Sequence, residues 1–121
     1  MNTLRKKVSK ADLFSEYTKI LNGVLGLSKR EAEVFSFLLE KDSDNSPEYM
    51  AYRDKNINSK FIRDELINKY SISEANLSRY LRTIKDKGLI VKVSNGWVIN
   101  DIVRLVIKDN VFELKFVLEI E

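Results

Sequence analysis

One short segment of the chain concentrates side chains that can make specific polar contacts. Residues 73 to 87, SEANLSRYLRTIKDK, place Leu77, Leu81 and Ile84 in one narrow sector at helical spacing. The opposite side and its flanks carry the candidate contact residues, which are Ser73, Asn76, Ser78, Arg79, Arg82, Thr83 and Lys85. Arginine matches the acceptor pair of guanine, the Asn amide matches adenine, and hydroxyl and ammonium groups suit phosphate. The segment therefore has the chemistry of a surface that contacts nucleic acid.

The same residues allow a simpler interpretation without a ligand. Exposed arginines such as Arg79 and Arg82 also occur on helices that are merely solvated. Ser73, at the start of the helix, is suited to a cap as well as to phosphate. Trp97 is more typical of hairpin packing than of base stacking. The residue types alone leave both interpretations open.

The composition excludes most catalytic chemistry. The 121 residues include no Cys and no His, which excludes disulfides, thiolate zinc sites and catalysis by Ser-His-Asp or Cys-His groups. The acidic residues are scattered among lysines, as on a solvated surface. With 44% hydrophobic and 32% charged residues, we expect one ordinary domain with no enzyme activity, catalytic residue, metal or cofactor.

Positive charge is concentrated in two places, although the formal net charge is only +3. Residues 1 to 10 contain four basic residues and no acid, and residues 79 to 92 contain five basic residues against Asp86. The basic start is not followed by an apolar segment, and no apolar run approaches the roughly 20 residues of a spanning helix. We expect a cytoplasmic protein without membrane contact. Its many Lys, Asn and Ile residues are compatible with a bacterial or phage genome rich in A and T.

Two amphipathic helices are predicted in the first third of the chain. Residues 11 to 25 carry apolar residues at helical spacing, and Gly26 ends that helix. The next helix begins at Ser28, which forms a capping box with Glu31. Apolar residues cover most of the second helix, so we expect it to be central; they include Val34, Phe35, Phe37, Leu38 and Leu39. A polar loop is predicted over residues 42 to 58.

Two more helices and two hairpins follow. A helix capped by Ser59 is predicted to bury Ile62, Leu66 and Tyr70, and the helix that begins at Ser73 ends at Gly88. Asn95-Gly96, between two β-rich runs, is the strongest short hairpin signal. A second hairpin is predicted in residues 101 to 121 because a turn at residues 109 and 110 puts apolar residues on one face. Its predicted neighbours are Ile107 with Phe112, Leu105 with Leu114, and Val103 with Phe116.

The order of the predicted elements resembles the winged helix-turn-helix family of DNA-binding regulators. That order is helix, turn, helix, the sequence KGLI and an Asn-Gly hairpin. The resemblance covers residues 28 to 100 and rests mainly on SISEANLSRYLRTIKDKGLIVK and the NG turn. It implies an α+β fold, a winged helix-turn-helix with an extra N-terminal helix and a C-terminal β-hairpin. The implied segments are a basic arm at 1–10, a helix at 11–27, the winged helix-turn-helix domain at 28–100 and the hairpin at 101–121.

The resemblance also implies a role for each element. Residues 73 to 87 become a recognition helix in the major groove. Lys87 at its end, Lys92 in the wing and Lys60 in the preceding helix contact phosphates, and the basic arm lies along the backbone or in the minor groove. Two features depart from the family pattern. Glu74 would repel phosphate at the start of the recognition helix, and the wing tip, SNG, carries no cation.

Two classes of function follow from these expectations. The first is a transcription regulator that binds double-stranded DNA as a homodimer, formed through the N-terminal helix or the C-terminal hairpin. The second is a winged-helix module that binds protein, or a structural subunit of a larger assembly such as a phage particle. The modest charge, the uncharged wing tip and the alternating apolar residues of FELKFVLEI favour the second class.

Overall fold

The computed structural model describes residues 5–43, 58–93, 96–104, 111–112 and 119–120. Within these ranges the chain forms four helices and one two-stranded antiparallel sheet, so the predicted α+β class is confirmed. The elements in chain order are α1 (Leu13–Leu25), α2 (Lys29–Ser43), α3 (Lys60–Tyr70), α4 (Glu74–Asp86), β1 (Ile90–Val93), β2 (Gly96–Ile99) and a 3-10 turn (Asp101–Val103). None of the helices in the described ranges is both long and apolar enough to cross a bilayer.

The predicted boundary between α1 and α2 is confirmed. Gly26 ends α1 with φ of 68°, in the left-handed region that a residue without Cβ enters at little cost. At the start of α2 the Ser28 hydroxyl accepts from the Glu31 amide at 3.2 Å, and the Glu31 carboxylate accepts from the Ser28 amide at 2.9 Å. The capping box therefore satisfies two backbone N–H groups that the helix itself leaves without partners.

Replacing Ser28 by Ala should lower the free energy of unfolding by about 1 kcal/mol, because it removes the acceptor for one of those N–H groups. Urea denaturation followed by circular dichroism measures the change. Ser15→Ala, at an exposed position inside α1 where the serine makes no side-chain hydrogen bond to the described residues, is the matched control. An equal effect of both substitutions would contradict the capping role.

The helix-turn-helix segment is also fixed by local caps. Ser59 accepts from the Ile62 amide at 3.4 Å, and Ser73 accepts from the Asn76 amide at 3.1 Å. Between α3 and α4, Ser71 takes a left-handed conformation with φ of 53°. These contacts fix where α4 begins and thus which of its residues point outward.

The core is built around α2, as the sequence predicted. Its five large apolar residues are at most 3% exposed, and the helix packs against α1, α4 and β2. Helix α3 contributes Ile62 and Leu66, and α4 contributes the predicted apolar stripe of Leu77, Leu81 and Ile84. Because that stripe is buried, the polar side of α4 must face solvent.

The first predicted hairpin is present as β1 and β2. Ile90 pairs with Ile99 and Val93 with Gly96, so residues 94 and 95 lie between the strands and Gly96 belongs to β2. This register puts Ile90 and Ile99 directly opposite each other, and both are at most 3% exposed. Burial of that isoleucine pair favours this register.

The start of the predicted C-terminal hairpin and the start of the predicted 42–58 loop differ from the expected pattern. Residues 101 to 103, expected in a hairpin strand, form a 3-10 turn because the Asn100 side chain accepts from the Ile102 amide at 3.2 Å. The expected turn at residues 109 and 110 lies outside the described residues, as does most of the predicted 42–58 loop. Asp42 and Ser43, assigned to that loop, extend α2.

Long-range contacts fix the chain after the hairpin to the helices. The Tyr17 hydroxyl donates to the Val103 carbonyl at 2.7 Å, and burial raises the pKa of Tyr17. The Arg104 guanidinium donates to the Asp42 carboxylate, with Nε 3.0 Å from Oδ2. Phe112 lies edge-on to Tyr17, with ring centroids 5.1 Å apart. The C-terminal segment is therefore anchored to α1 and α2.

Candidate nucleic-acid interface

The exposed residues of α4 form two stripes, and Arg82, predicted on the outer side, lies in the stripe of the flanking residues Ser78 and Lys85. Asn76, Arg79 and Thr83, spaced by three and four residues, follow the outer side of the helix. The other stripe consists of Ser78, Arg82 and Lys85, which line a cleft against α3 and the hairpin. The two stripes face different directions, so a ligand can contact the outer stripe without contacting the second stripe.

The outer stripe has two side chains well placed for hydrogen bonding. Asn76 is exposed, and Arg79 is exposed with its guanidinium carbon 5.4 Å from the centre of the Tyr80 ring. Thr83 is half-buried, and its hydroxyl donates to the Arg79 carbonyl at 3.3 Å. Thr83 therefore keeps acceptor capacity, while its proton is engaged by the helix backbone.

Ser73 and Ser78 differ in the partners that they already have. Ser73 remains exposed, but its hydroxyl oxygen caps α4, the role that the ligand-free interpretation assigned to it. The Ser78 hydroxyl oxygen accepts from Nη2 of Arg63 at 2.7 Å. Its own proton can still be donated, because an oxygen that accepts retains its O–H.

The cleft beside the second stripe has a volume of about 280 Å³. It is lined by Asn58, Arg63, Ser78, Leu81, Arg82, Lys85, Ile90 and Trp97. The Lys85 ammonium lies 4.5 Å from the centre of the Trp97 ring, a cation–π contact. Trp97 thus belongs to the hairpin and also borders the second stripe. The sequence predicted only the first of these two roles.

Arg63 is the residue that sequence reasoning missed. Its Nε donates to the Glu74 carboxylate at 2.8 Å, Nη2 contacts the same carboxylate, and Nη1 donates to the Asn58 side chain at 2.8 Å. Only 14% of the Arg63 side chain is exposed. Glu74, which the sequence marked as repulsive to phosphate, is therefore neutralised within the protein. The sequence contained one signal for such a partner, because Glu74 is an acid in the first turn of α4 without a cation at helical spacing.

Three other lysines were predicted to contact phosphate, and they have different surroundings. Lys92 is exposed on β1 directly opposite Trp97, so it lies beside the cleft. Lys60 bonds Asp64 at 2.9 Å, and that hydrogen bond raises the pKa of Lys60. The Lys87 ammonium donates to the Leu25 carbonyl at 2.7 Å. Lys87 therefore joins the end of α4 to the end of α1, which gives it a structural role that the phosphate assignment lacked.

The described part of the basic arm begins with Arg5 and runs beside α1. The Lys6 ammonium donates to the Glu16 carboxylate at 2.7 Å, and this hydrogen bond lowers the pKa of Glu16. Arg5, Lys7 and Lys10 are exposed. The arm thus supplies exposed cations, while one of its lysines is engaged with α1.

Comparison of the chain with protein-family models, curated proteins and solved structures finds no match. The ligand of this surface must therefore be inferred from its own side chains. Within the described ranges no three acidic groups converge as metal ligands, whereas α4 carries two parallel stripes of donors. Such donors suit a partner rich in hydrogen-bond acceptors and negative charge.

Proposed function

We propose that the protein is a cytoplasmic, sequence-specific DNA-binding regulator of transcription with a winged helix-turn-helix fold. The observation that carries the proposal is the charge of α4. Arg79, Arg82 and Lys85 are exposed, and none of them forms an ion pair within the part of the chain that the structure describes. Arg63 neutralises the acid in the first turn of the same helix. The three cations outnumber Asp86, the other exposed acid of α4, so the exposed side of the helix still attracts a polyanion such as DNA.

Within this proposal the outer stripe contacts bases. Asn76 and Arg79 are one helical turn apart, and each side chain can form two hydrogen bonds to one base edge in the major groove. Thr83, which retains an acceptor, lies one further turn along the helix. Ser73, Ser78, Lys85 and Lys92 hold the phosphates on either side and fix the position of the helix.

A homodimer would double the number of base pairs that are recognised. Helix α1 exposes Ile20 and Val24, which lie one turn apart and are 47% and 72% exposed. Two such residues on one side of a helix favour a contact with a second protein surface. The proposed dimer therefore forms through α1, and the C-terminal hairpin remains the second proposed contact.

Fluorescence anisotropy with a random-sequence duplex tests DNA binding directly. We expect binding that weakens steeply from about 50 mM to about 200 mM salt, because cations of the protein displace counterions from the phosphates. On a duplex selected for tight binding, Arg79→Ala and Arg82→Ala should each cost about 1 to 3 kcal/mol. Circular dichroism confirms that the variants are folded.

The matched control removes two positive charges elsewhere. Lys19 and Lys29 are exposed on α1 and α2 and belong to neither stripe of α4, and Lys19 lies 3.7 Å from the Glu16 carboxylate. Lys19→Ala/Lys29→Ala should reduce affinity much less than Arg79→Ala/Arg82→Ala. Equal losses of affinity in the two double variants would show that binding depends only on the net charge of the protein. That result would contradict a specific DNA-binding surface on α4.

A second candidate function is a protein-binding module, and the hairpin favours it. Val91 and Val93 are each 37% exposed and lie on the opposite face of β1 from Ile90 and Lys92. An apolar outer face suits a protein partner better than phosphates. A folded protein that binds no duplex even at low salt would assign α4 and the hairpin to this class.

A further inference from the structure

The cleft between α3, α4 and the hairpin has an unbalanced charge. Its lining includes Arg63, Arg82 and Lys85 but no carboxylate. Because Arg63 is paired with Glu74, the excess positive charge comes from Arg82 and Lys85. Leu81 and Ile90 form an apolar wall, and they are 8% and 3% exposed. A low-dielectric wall strengthens the attraction between the cations and an anion in front of it. The cleft is therefore electrostatically suited to an anionic group.

The three cations have different roles. Arg63 already binds Glu74, Asn58 and Ser78, so its donors are engaged. By donating to the Ser78 oxygen it turns the Ser78 proton toward other acceptors, which makes Arg63 a positioning residue. Arg82 and Lys85 have no carboxylate partner among the described residues. The donors open to a ligand are therefore one hydroxyl, one guanidinium and one ammonium group.

We propose that this cleft is a discrete phosphate-binding site, which holds a phosphate ester through Ser78, Arg82 and Lys85. These residues follow one another at i, i+4 and i+7, so their donors converge along one side of α4. A phosphate ester presents several oxygens to three donors of different type, whereas a carboxylate presents only two.

The size and wall of the cleft favour an ester over a larger ligand. Its volume of about 280 Å³ lies just below the range of about 300 to 1,000 Å³ that is typical of small-molecule pockets. It admits a phosphate with an attached sugar, whose carbon face can pack on Leu81 and Trp97. The ester belongs either to a DNA strand, in which case the site rests on the proposed function, or to a free nucleotide or sugar phosphate.

Trp97 provides a direct measurement of occupancy. It is the only Trp in the chain, it lines the cleft, and the Lys85 ammonium lies over its ring. A phosphate that draws Lys85 away from the ring changes the surroundings of the indole. The intrinsic fluorescence of Trp97 should therefore respond to phosphate binding without any added label.

The experiment titrates the protein separately with inorganic phosphate, ribose 5-phosphate and duplex DNA, and with NaCl at matched ionic strength. We expect a saturable change in Trp97 emission with the phosphate compounds but not with NaCl. Arg82→Ala should weaken the affinity for ribose 5-phosphate about tenfold, and Ser78→Ala should weaken it by a smaller factor. Lys29→Ala, on the exposed start of α2, is the matched control. Lys85→Ala should weaken affinity as Arg82→Ala does, although it also changes the starting emission.

The outcomes separate this site from the proposed function. A response to ribose 5-phosphate without duplex binding keeps the site, identifies a small phosphorylated ligand and contradicts the proposed function. A response to the duplex that is lost in Arg82→Ala identifies a DNA phosphate as the occupant. No response to any phosphate compound overturns the site. Duplex binding that is weakened by Arg79→Ala but equal in Arg82→Ala and Lys29→Ala also overturns it, together with the predicted cost of Arg82→Ala, while DNA binding through the outer stripe stands.

Discussion

Replacing Phe35 by Ala should lower the free energy of unfolding by about 3 to 5 kcal/mol. Phe35 has no exposed surface and lies on α2, the helix that packs against α1, α4 and β2. Removal of its ring leaves a cavity that three elements would have to close together, and such a closure is rarely complete. Urea denaturation followed by Trp97 fluorescence and by circular dichroism measures the loss.

Phe61→Ala is the matched control, because it makes the same chemical change at a residue that is 38% exposed on α3. Its cost should be about 1 to 2 kcal/mol, because part of its ring is already in contact with water. The difference between the two variants therefore measures how central α2 is. Similar costs at both positions would contradict the packing around α2 and, with it, the placement of α4 on the surface.

Replacing Arg63 by Ala is expected to have the second large effect, on both stability and DNA binding. The substitution removes hydrogen bonds to the Glu74 carboxylate and to Ser78, and bonds of this charged kind contribute about 1.5 to 3 kcal/mol. It also leaves the Glu74 charge without its partner beside the proposed DNA surface. We expect a lower free energy of unfolding and roughly tenfold weaker duplex binding at low salt.

A second substitution distinguishes these two consequences. In Arg63→Ala/Glu74→Gln the repulsive charge is absent, so duplex affinity should return most of the way to that of the unmodified protein. Stability should recover only in part, because the bond to Ser78 is still missing. If the double variant binds as weakly as Arg63→Ala, then Arg63 does not act on DNA binding by neutralising Glu74.

The features that the sequence predicted correctly are local ones. The capping box of Ser28 and Glu31 spans four residues, and the caps at Ser59 and Ser73 likewise depend on groups within one helical turn. The apolar stripe of α4 follows from helical periodicity alone. In such cases the residue types and their spacing contain all the information that the local structure needs.

The features that it missed depend on contacts between distant residues. Arg63 and Glu74 are 11 positions apart, and Asp42 and Arg104 are 62 apart, so neither pair produces a periodic or local signal. The hairpin register, which the sequence left open, likewise depends on the burial of Ile99 against the helices. The division of α4 into two stripes needed the position of α3 and the hairpin.

The bond between Lys87 and the Leu25 carbonyl has a geometric consequence for a dimer. It ties the first residue after α4 to the end of α1, across 62 positions of sequence. If two copies associate through α1, this tie and the packing of α1 and α4 against α2 together fix the distance and angle between their two copies of α4. A pair held in this way selects DNA half-sites of one fixed separation, about 34 Å for adjacent turns of the duplex, and discriminates against other spacings.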